Sequence, residues 1–285
     1  MNQSSQGEAL RGKVVMVTGA NSGMGKEISL GLARLGPTLV MVCRDRQRGE
    51  SARSEVQQKT DNGAVELLVA DLSSQQSIRQ LVKDFEAGHD HLDVLVNNAG
   101  MTSATRTETV DGLETVFATN HLGPFLLTNL LLPGLKASAP ARIVTVSSGA
   151  QAMGKLDFDD LQSTRSYDEI RAYNASKLAN ILFTYELARR IKGTGVTANA
   201  VEPGFIKTNL KVPFPFSIFS FMRGKAVDGA KPSIFLASSP EVEGVSGAFF
   251  SNKGVAIKSS KITYDDAVAK RLWDVSAELT HLNPD

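Results

Sequence analysis

VVMVTGANSGMGK, residues 14–26, decides the fold. A short β-branched and apolar run ends at Thr18, and three glycines follow at 19, 23 and 25. The next apolar residues, over 24–35, repeat at helical spacing and stop at Gly36-Pro37, a helix stop followed by a breaker. A strand that turns through glycines into a helix is the opening unit of an α/β sheet. Glycine lets the backbone turn tightly and approach an anion. The helix N-terminus then offers N–H groups and a positive dipole to a pyrophosphate. The spacing is G-x3-G-x-G rather than G-x-G-x-x-G, so the loop alone also admits an ordinary glycine turn.

Working outward, similar apolar runs recur at 39–43, 65–70, 92–97, 142–147 and 196–201. None alternates cleanly between apolar and polar residues, which suits parallel strands buried on both faces. Helix-length segments lie between them at 45–59, 74–87, 111–137 and 172–191. The pattern predicts a doubly wound, Rossmann-type α/β sheet with helices on both faces, in one domain spanning residues 1–285. Residues 149–171 and 205–225 interrupt the rhythm, and the second stretch is rich in Phe.

Composition narrows the function. The net charge is +1 with no block of like charge, which speaks against a nucleic-acid partner. Cys43 is the only cysteine, so an intramolecular disulfide is impossible and a reducing compartment is the natural setting. The polar N-terminus lacks the pattern of a signal peptide, and no apolar run approaches the ~20 residues that span a bilayer. The expectation is a soluble, cytoplasmic protein without a transmembrane anchor, and no metal is assigned.

The second strand ends at Arg44, where an NAD site would carry an acid for the ribose 2′-OH. Arginine there suits a 2′-phosphate, so NADP(H) is the preferred cofactor and NAD(H) the alternative. Asp45 could oppose a phosphate unless it points away. Asp71, beside Leu72, and Asn98-Ala99-Gly100 follow the third and fourth strands, at the sheet edge where open α/β sheets bind ligands. Asp71 could bond an adenine amino group, cap the next helix, or do both.

Ser148 ends the fifth strand and Pro203-Gly204 follows the sixth. Tyr173 and Lys177 stand four apart, on one face of a helix. In this order TGANSGMG, NNAG, Asn120, VSS, Y-x-x-x-K and EPG resemble the short-chain dehydrogenases/reductases over Lys13 to about Phe250. NHLGPFLLTNLLLP and YNASKLANILFTYELARRI are similar to the retinol dehydrogenase-like group. The resemblance implies a cofactor cradle of Gly19, Asn21, Ser22, Gly23, Met24 and Gly25, with Ile206 and Thr208 at the nicotinamide. It also implies catalysis by Asn120, Ser148, Tyr173 and Lys177.

Tyr173 would exchange the proton, and a nearby Lys177 would lower its pKa from ~10 by about 1–3 units and hold the nicotinamide ribose. Ser148 would position the carbonyl. Ala175 and Ser176 would keep the approach uncrowded. The resemblance also implies that Asn120 supports a water-borne proton relay. Pro124 has no N–H for the Asn120 carbonyl and should kink the helix, which would free that carbonyl to hold a water, simply bend a long helix to fit the sheet, or do both. His121 is read as structural or pocket-lining, since no serine-hydrolase elbow accompanies it.

The Phe-rich stretch reads as a lid over a lipophilic aldehyde or ketone of retinoid-like, steroid-like or similarly bulky kind, or as simple hydrophobic cover. An NADP(H)-sensing regulator without turnover is the competing function. The presence of all four catalytic residue types favours the enzyme. Epimerase or dehydratase chemistry would call for a larger substrate domain. The family often pairs the helices that bear the Asn and the Tyr, which implies a homodimer or homotetramer unless residues 149–171 obstruct that face.

Overall fold

The computed structural model describes residues 9–204 and 225–282. β1 (Val14–Thr18) lies inside the sheet, parallel to β2 (Thr38–Cys43) on one side and to β4 (Val94–Asn97) on the other. β3 (Val65–Val69) flanks β2. β5 (Ala141–Val146), β6 (Val196–Val201) and β7 (Phe249–Phe250) continue from β4, all parallel. β8 (Ala256–Ile257) closes the edge antiparallel to β7. The order β3-β2-β1-β4-β5-β6-β7-β8 reverses direction between β1 and β4, which opens a crevice at the carboxyl ends of those strands.

The helices are α1 (Gly23–Ala33), α2 (Arg46–Thr60), α3 (Gln75–Glu86), α4 (Gly123–Ala137), α5 (Glu169–Arg190), α6 (Ala226–Ser238) and α7 (Asp266–Leu279). The continuous apolar runs follow from burial on both faces. Val15, Val17, Leu39 and Met41 pack beneath α1, α2 and α6. Their neighbours Val14, Met16, Val40 and Val42 turn to the other face, beneath α3, α4 and α5. Alternate residues of a strand point to opposite faces, so covering both faces requires apolar residues at each position. Each such side chain contributes about 1.5–3 kcal/mol when fully buried. β7 and β8 escape a periodicity reading because each has two residues.

Two boundaries differ from expectation for identifiable reasons. α5 begins at Glu169 because the Asp168 carboxylate accepts from Arg171 N at 2.8 Å and caps it there. The segment expected as one helix over 111–137 is broken. A helical turn at Thr115–Phe117 leads into a π-helical turn at Ala118–Leu122, and α4 starts only at Gly123. Gly123 N–H donates to Ala118 O, five residues back, and Pro124 gives the Asn120 carbonyl no N–H to accept from.

α7 lies across α4 and α5. Trp273 packs edge-on against Phe125, with ring centroids 5.0 Å apart, and stacks on Phe183 at 5.9 Å. Leu156, Phe158 and Leu161 from the 149–171 segment join the same apolar cluster as Ala269 and Leu272 of α7. A helix of the same chain therefore packs against α4 and α5. Among the described residues no helix is long and apolar enough to cross a membrane. The expected lid at 205–225, with Ile206 and Thr208, falls outside the described residues apart from Lys225.

Candidate active site

The glycine loop is shaped as a cradle. Gly19 and Gly23 hold φ of +66° and +52°, a left-handed conformation that other residues adopt only with strain. A Cβ on Gly25 would overlap Gly19 O and come within 2.5 Å of Asn98 Nδ2, so the first turn of α1 lies directly on the loop. Ser22 stands at the N-cap of α1 without a side-chain cap bond, and no acid occupies the first turn. By contrast Asp45, Ser74 and Asp168 cap α2, α3 and α5. The N–H groups of α1 are thus left to an anion, and the cradle fits a dinucleotide pyrophosphate.

Asn98 ties the loop to the neighbouring strand, donating from Nδ2 to Thr18 O at 2.8 Å. The Thr18 hydroxyl accepts from Asn98 N at 3.0 Å and from Ala99 N at 3.1 Å. Arg44 is 74% exposed, with Nη1 4.0 Å from Asp71 Oδ2 across the ends of β2 and β3. Asp71 Oδ1 accepts from Ser73 N and Oγ, an Asx turn rather than a helix cap, because Ser74 takes the cap. Asp45 is occupied as the cap of α2, accepting from Arg48 N at 2.9 Å. Its carboxylate is thereby engaged on the helix beside Arg44.

The four expected catalytic residues converge at the same sheet edge. Lys177 is buried, with Nζ 5.5 Å from the Tyr173 ring centroid and donating to Val146 O at 3.2 Å. Removal from water pushes its pKa down from 10.5 to about 8. Tyr173 behaves differently from expectation. Burial raises its phenol, and a hydrogen bond with Ser148 opposes that rise. In this form Lys177 sits over the ring, and burial and Ser148 govern the hydroxyl.

Asn120 is fully buried. Its Oδ1 accepts from Met101 N at 2.8 Å, and its Nδ2 donates to Met101 O at 2.9 Å and to Ser176 Oγ at 3.0 Å. A Cβ on Gly100 would lie 3.4 Å from Lys177 Nζ and 3.5 Å from Asn120 Oδ1, so the NNAG loop meets those two side chains there. Gly204 has φ +76° and packs on Asn252 beside Pro203. Residues 13–215 match the family model described as short chain dehydrogenase.

The chain belongs to the short-chain dehydrogenase family. Within it, the chain falls in the retinol dehydrogenase-like group. Human retinol dehydrogenase 14 is 45% identical over 96% of this chain and 88% of that protein. Human retinol dehydrogenase 11 is 45% identical over 96% and 87%. The crystal structure of an uncharacterized protein from Mycobacterium Paratuberculosis superposes with a TM-score of 0.80 at 36% identity, covering 95% of this chain and 94% of that one. A short chain dehydrogenase from Shigella flexneri complexed with NADP shares the fold at a TM-score of 0.70 and 21% identity, covering 87% and 99%. The family uses NAD(P)(H), and the chain is an oxidoreductase of small-molecule carbonyl or alcohol substrates.

Several residues of this dehydrogenase's site carry no sequence signal that singles them out. Thr18, Met101 and Ser176 act through backbone and hydroxyl contacts made only on folding. Glu202 precedes Pro203, and its Oε2 lies 3.0 Å from where a Cβ on Gly149 would stand, beside Ser148. Burial raises its carboxyl pKa. His121, by contrast, is structural. It is fully buried among Phe117, Phe125 and Phe183, shares a 2.9 Å hydrogen bond with Ser276 Oγ, and is pushed down to about 4 by burial.

Lys177 makes stability pH-dependent. Its folded value lies below its unfolded one, so below pH 8 the folded dehydrogenase bears the full cost of a buried ammonium. Above pH 8 the folded chain releases that proton while the unfolded chain still holds it, so stability rises with pH. From pH 8 to about 9.5 the gain is about 1.5 kcal/mol, because the folded lysine is half deprotonated at pH 8 and the slope approaches 1.36 kcal/mol per unit only above it. Urea midpoints at these two pH values should show the rise in the cofactor-free protein, and Lys177→Met should remove it. An equal rise in the variant would assign it to another group.

Proposed function

We propose that this dehydrogenase transfers a hydride between NADP(H) and a carbonyl/alcohol pair, with a lipophilic aldehyde or ketone as substrate. The observation that carries this reading is the convergence of Ser148, Tyr173, Lys177 and Asn120 on the crevice that also holds the glycine cradle. The retinol dehydrogenase relatives support a lipophilic, retinoid-like substrate. Arg44 supports NADP(H), since it stands exposed at the end of β2 with the nearby Asp45 carboxylate engaged elsewhere.

The residues divide the work. The glycine cradle and Arg44 would hold NADPH, which when bound would supply a hydride for the carbonyl carbon. Tyr173, a phenol and so protonated at neutral pH, gives its proton to the carbonyl oxygen. Ser148 hydrogen-bonds that oxygen and fixes its place. Lys177, with a pKa of about 8, can give and recover a proton near neutrality and so resupplies Tyr173. The Asn120 side chain is taken up by Met101 and Ser176, so the relay proposed for this residue is given to its backbone carbonyl opposite Pro124.

NADPH oxidation followed at 340 nm across aldehydes and ketones of graded size and polarity tests the reading. Turnover should increase with apolar bulk. NADPH binding without oxidation by any of the carbonyls would favour a nucleotide-sensing protein instead.

A further inference from the structure

We propose that Ser176 is a positioning residue that locks the Asn120 turn to the Tyr173–Lys177 turn. The inference rests on the catalytic reading of those residues given above. Ser176 is fully buried. Its Oγ donates to Tyr173 O at 2.7 Å and accepts from Asn120 Nδ2 at 3.0 Å. A hydroxyl has one proton, and this one is committed to the Tyr173 carbonyl. A lone pair is therefore what Ser176 presents to Asn120.

A helical serine that bonds its own i−3 carbonyl is common and by itself says little. The second partner, on another element, is what distinguishes this one. Both N–H groups of the Asn120 amide are used, one on Met101 O and one on Ser176, while Oδ1 takes Met101 N. One amide and one hydroxyl thus join the loop after β4, the π-helical turn and α5. Ser147 adds a parallel tie, donating from Oγ to Lys177 O at 2.8 Å.

The π-helical turn is irregular backbone, and α5 contacts it where both meet the crevice. Without the hydroxyl the Asn120 N–H would be left unpaired in the interior. The amide would re-seat, and the Asn120 carbonyl would lose its fixed place relative to Lys177. Resupply of the Tyr173 proton depends on that place. Hydride transfer and cofactor binding do not.

The test compares wild type, Ser176→Ala, Ser176→Thr and Tyr173→Phe, with p-nitrobenzaldehyde and NADPH as the probe pair. A misplacement of this kind should lower kcat in Ser176→Ala by about tenfold to a hundredfold. KM for NADPH should stay unchanged, the solvent isotope effect on kcat should rise, and its pH profile should move. Ser176→Thr keeps the hydroxyl and should restore the wild-type profile. Hydrogen exchange at 118–122 and 173–177 reads the tie without turnover, and both stretches should exchange about tenfold faster in Ser176→Ala only.

Unchanged exchange in Ser176→Ala would overturn the inference. So would a loss of kcat, NADPH affinity and melting temperature together with no change in isotope effect, the signature of a merely structural residue. If Tyr173→Phe reduces the aldehyde at the wild-type rate, it is the catalytic reading that fails. The exchange result still decides the tie.

Discussion

Tyr173→Phe lowers carbonyl reduction by about 10²–10⁴-fold, the range a positioned general acid contributes. The ring remains, so its packing and the position of Lys177 over its face are retained. Only the hydroxyl that faces Ser148 is lost. NADPH affinity, measured by fluorescence quenching, should stay close to wild type, because the glycine cradle and Arg44 are untouched. The loss should fall on kcat rather than on KM for NADPH. Turnover near the wild-type rate would remove Tyr173 from the chemistry and, with it, the role assigned to Lys177.

Arg44→Asp reverses the cofactor preference. In wild type a guanidinium that is 74% exposed stands at the end of β2, 4.0 Å from Asp71. A charge-assisted hydrogen bond to a 2′-phosphate contributes about 1.5–3 kcal/mol, which favours NADPH over NADH by about 10–150-fold. The substitution removes that bond and sets a second carboxylate near Asp71, where a phosphate would be repelled. A ribose 2′-OH, by contrast, gains an acceptor. Titrating both cofactors against both proteins reads the change directly. Equal affinity of the wild-type protein for NADPH and NADH would refute the assignment to Arg44.

Much of this was legible in the chain itself. The apolar runs at 14–18, 39–43 and 142–147 name strands because burial on both faces leaves no room for alternation. Gly19, Gly23 and Gly25 mark a tight strand-to-helix turn, where positive φ at the first two and close packing at the third exclude a side chain. Tyr173 and Lys177 meet because i and i+4 share one side of a helix. Pro124 announces the interruption that the structure resolves as a π-helical turn. These are local rules, and a sequence expresses them without knowing its partners.

Tertiary structure decided the rest. That Arg44 stands near Asp71 depended on the pairing of β2 with β3. The pKa values of Tyr173 and Lys177 depended on burial more than on their mutual spacing, since desolvation is set by every element packed around them. That α7 lies across α4 and α5 followed from Trp273 meeting Phe125 and Phe183, about 150 and 90 residues away in the chain. Ser176 looks like a small spacer in Y-x-x-x-K and becomes a junction only when Asn120 is brought to it from 56 residues away. Period and spacing dictate which faces a chain buries, whereas the dielectric and hydrogen-bond partners of a buried group exist only once distant segments have met.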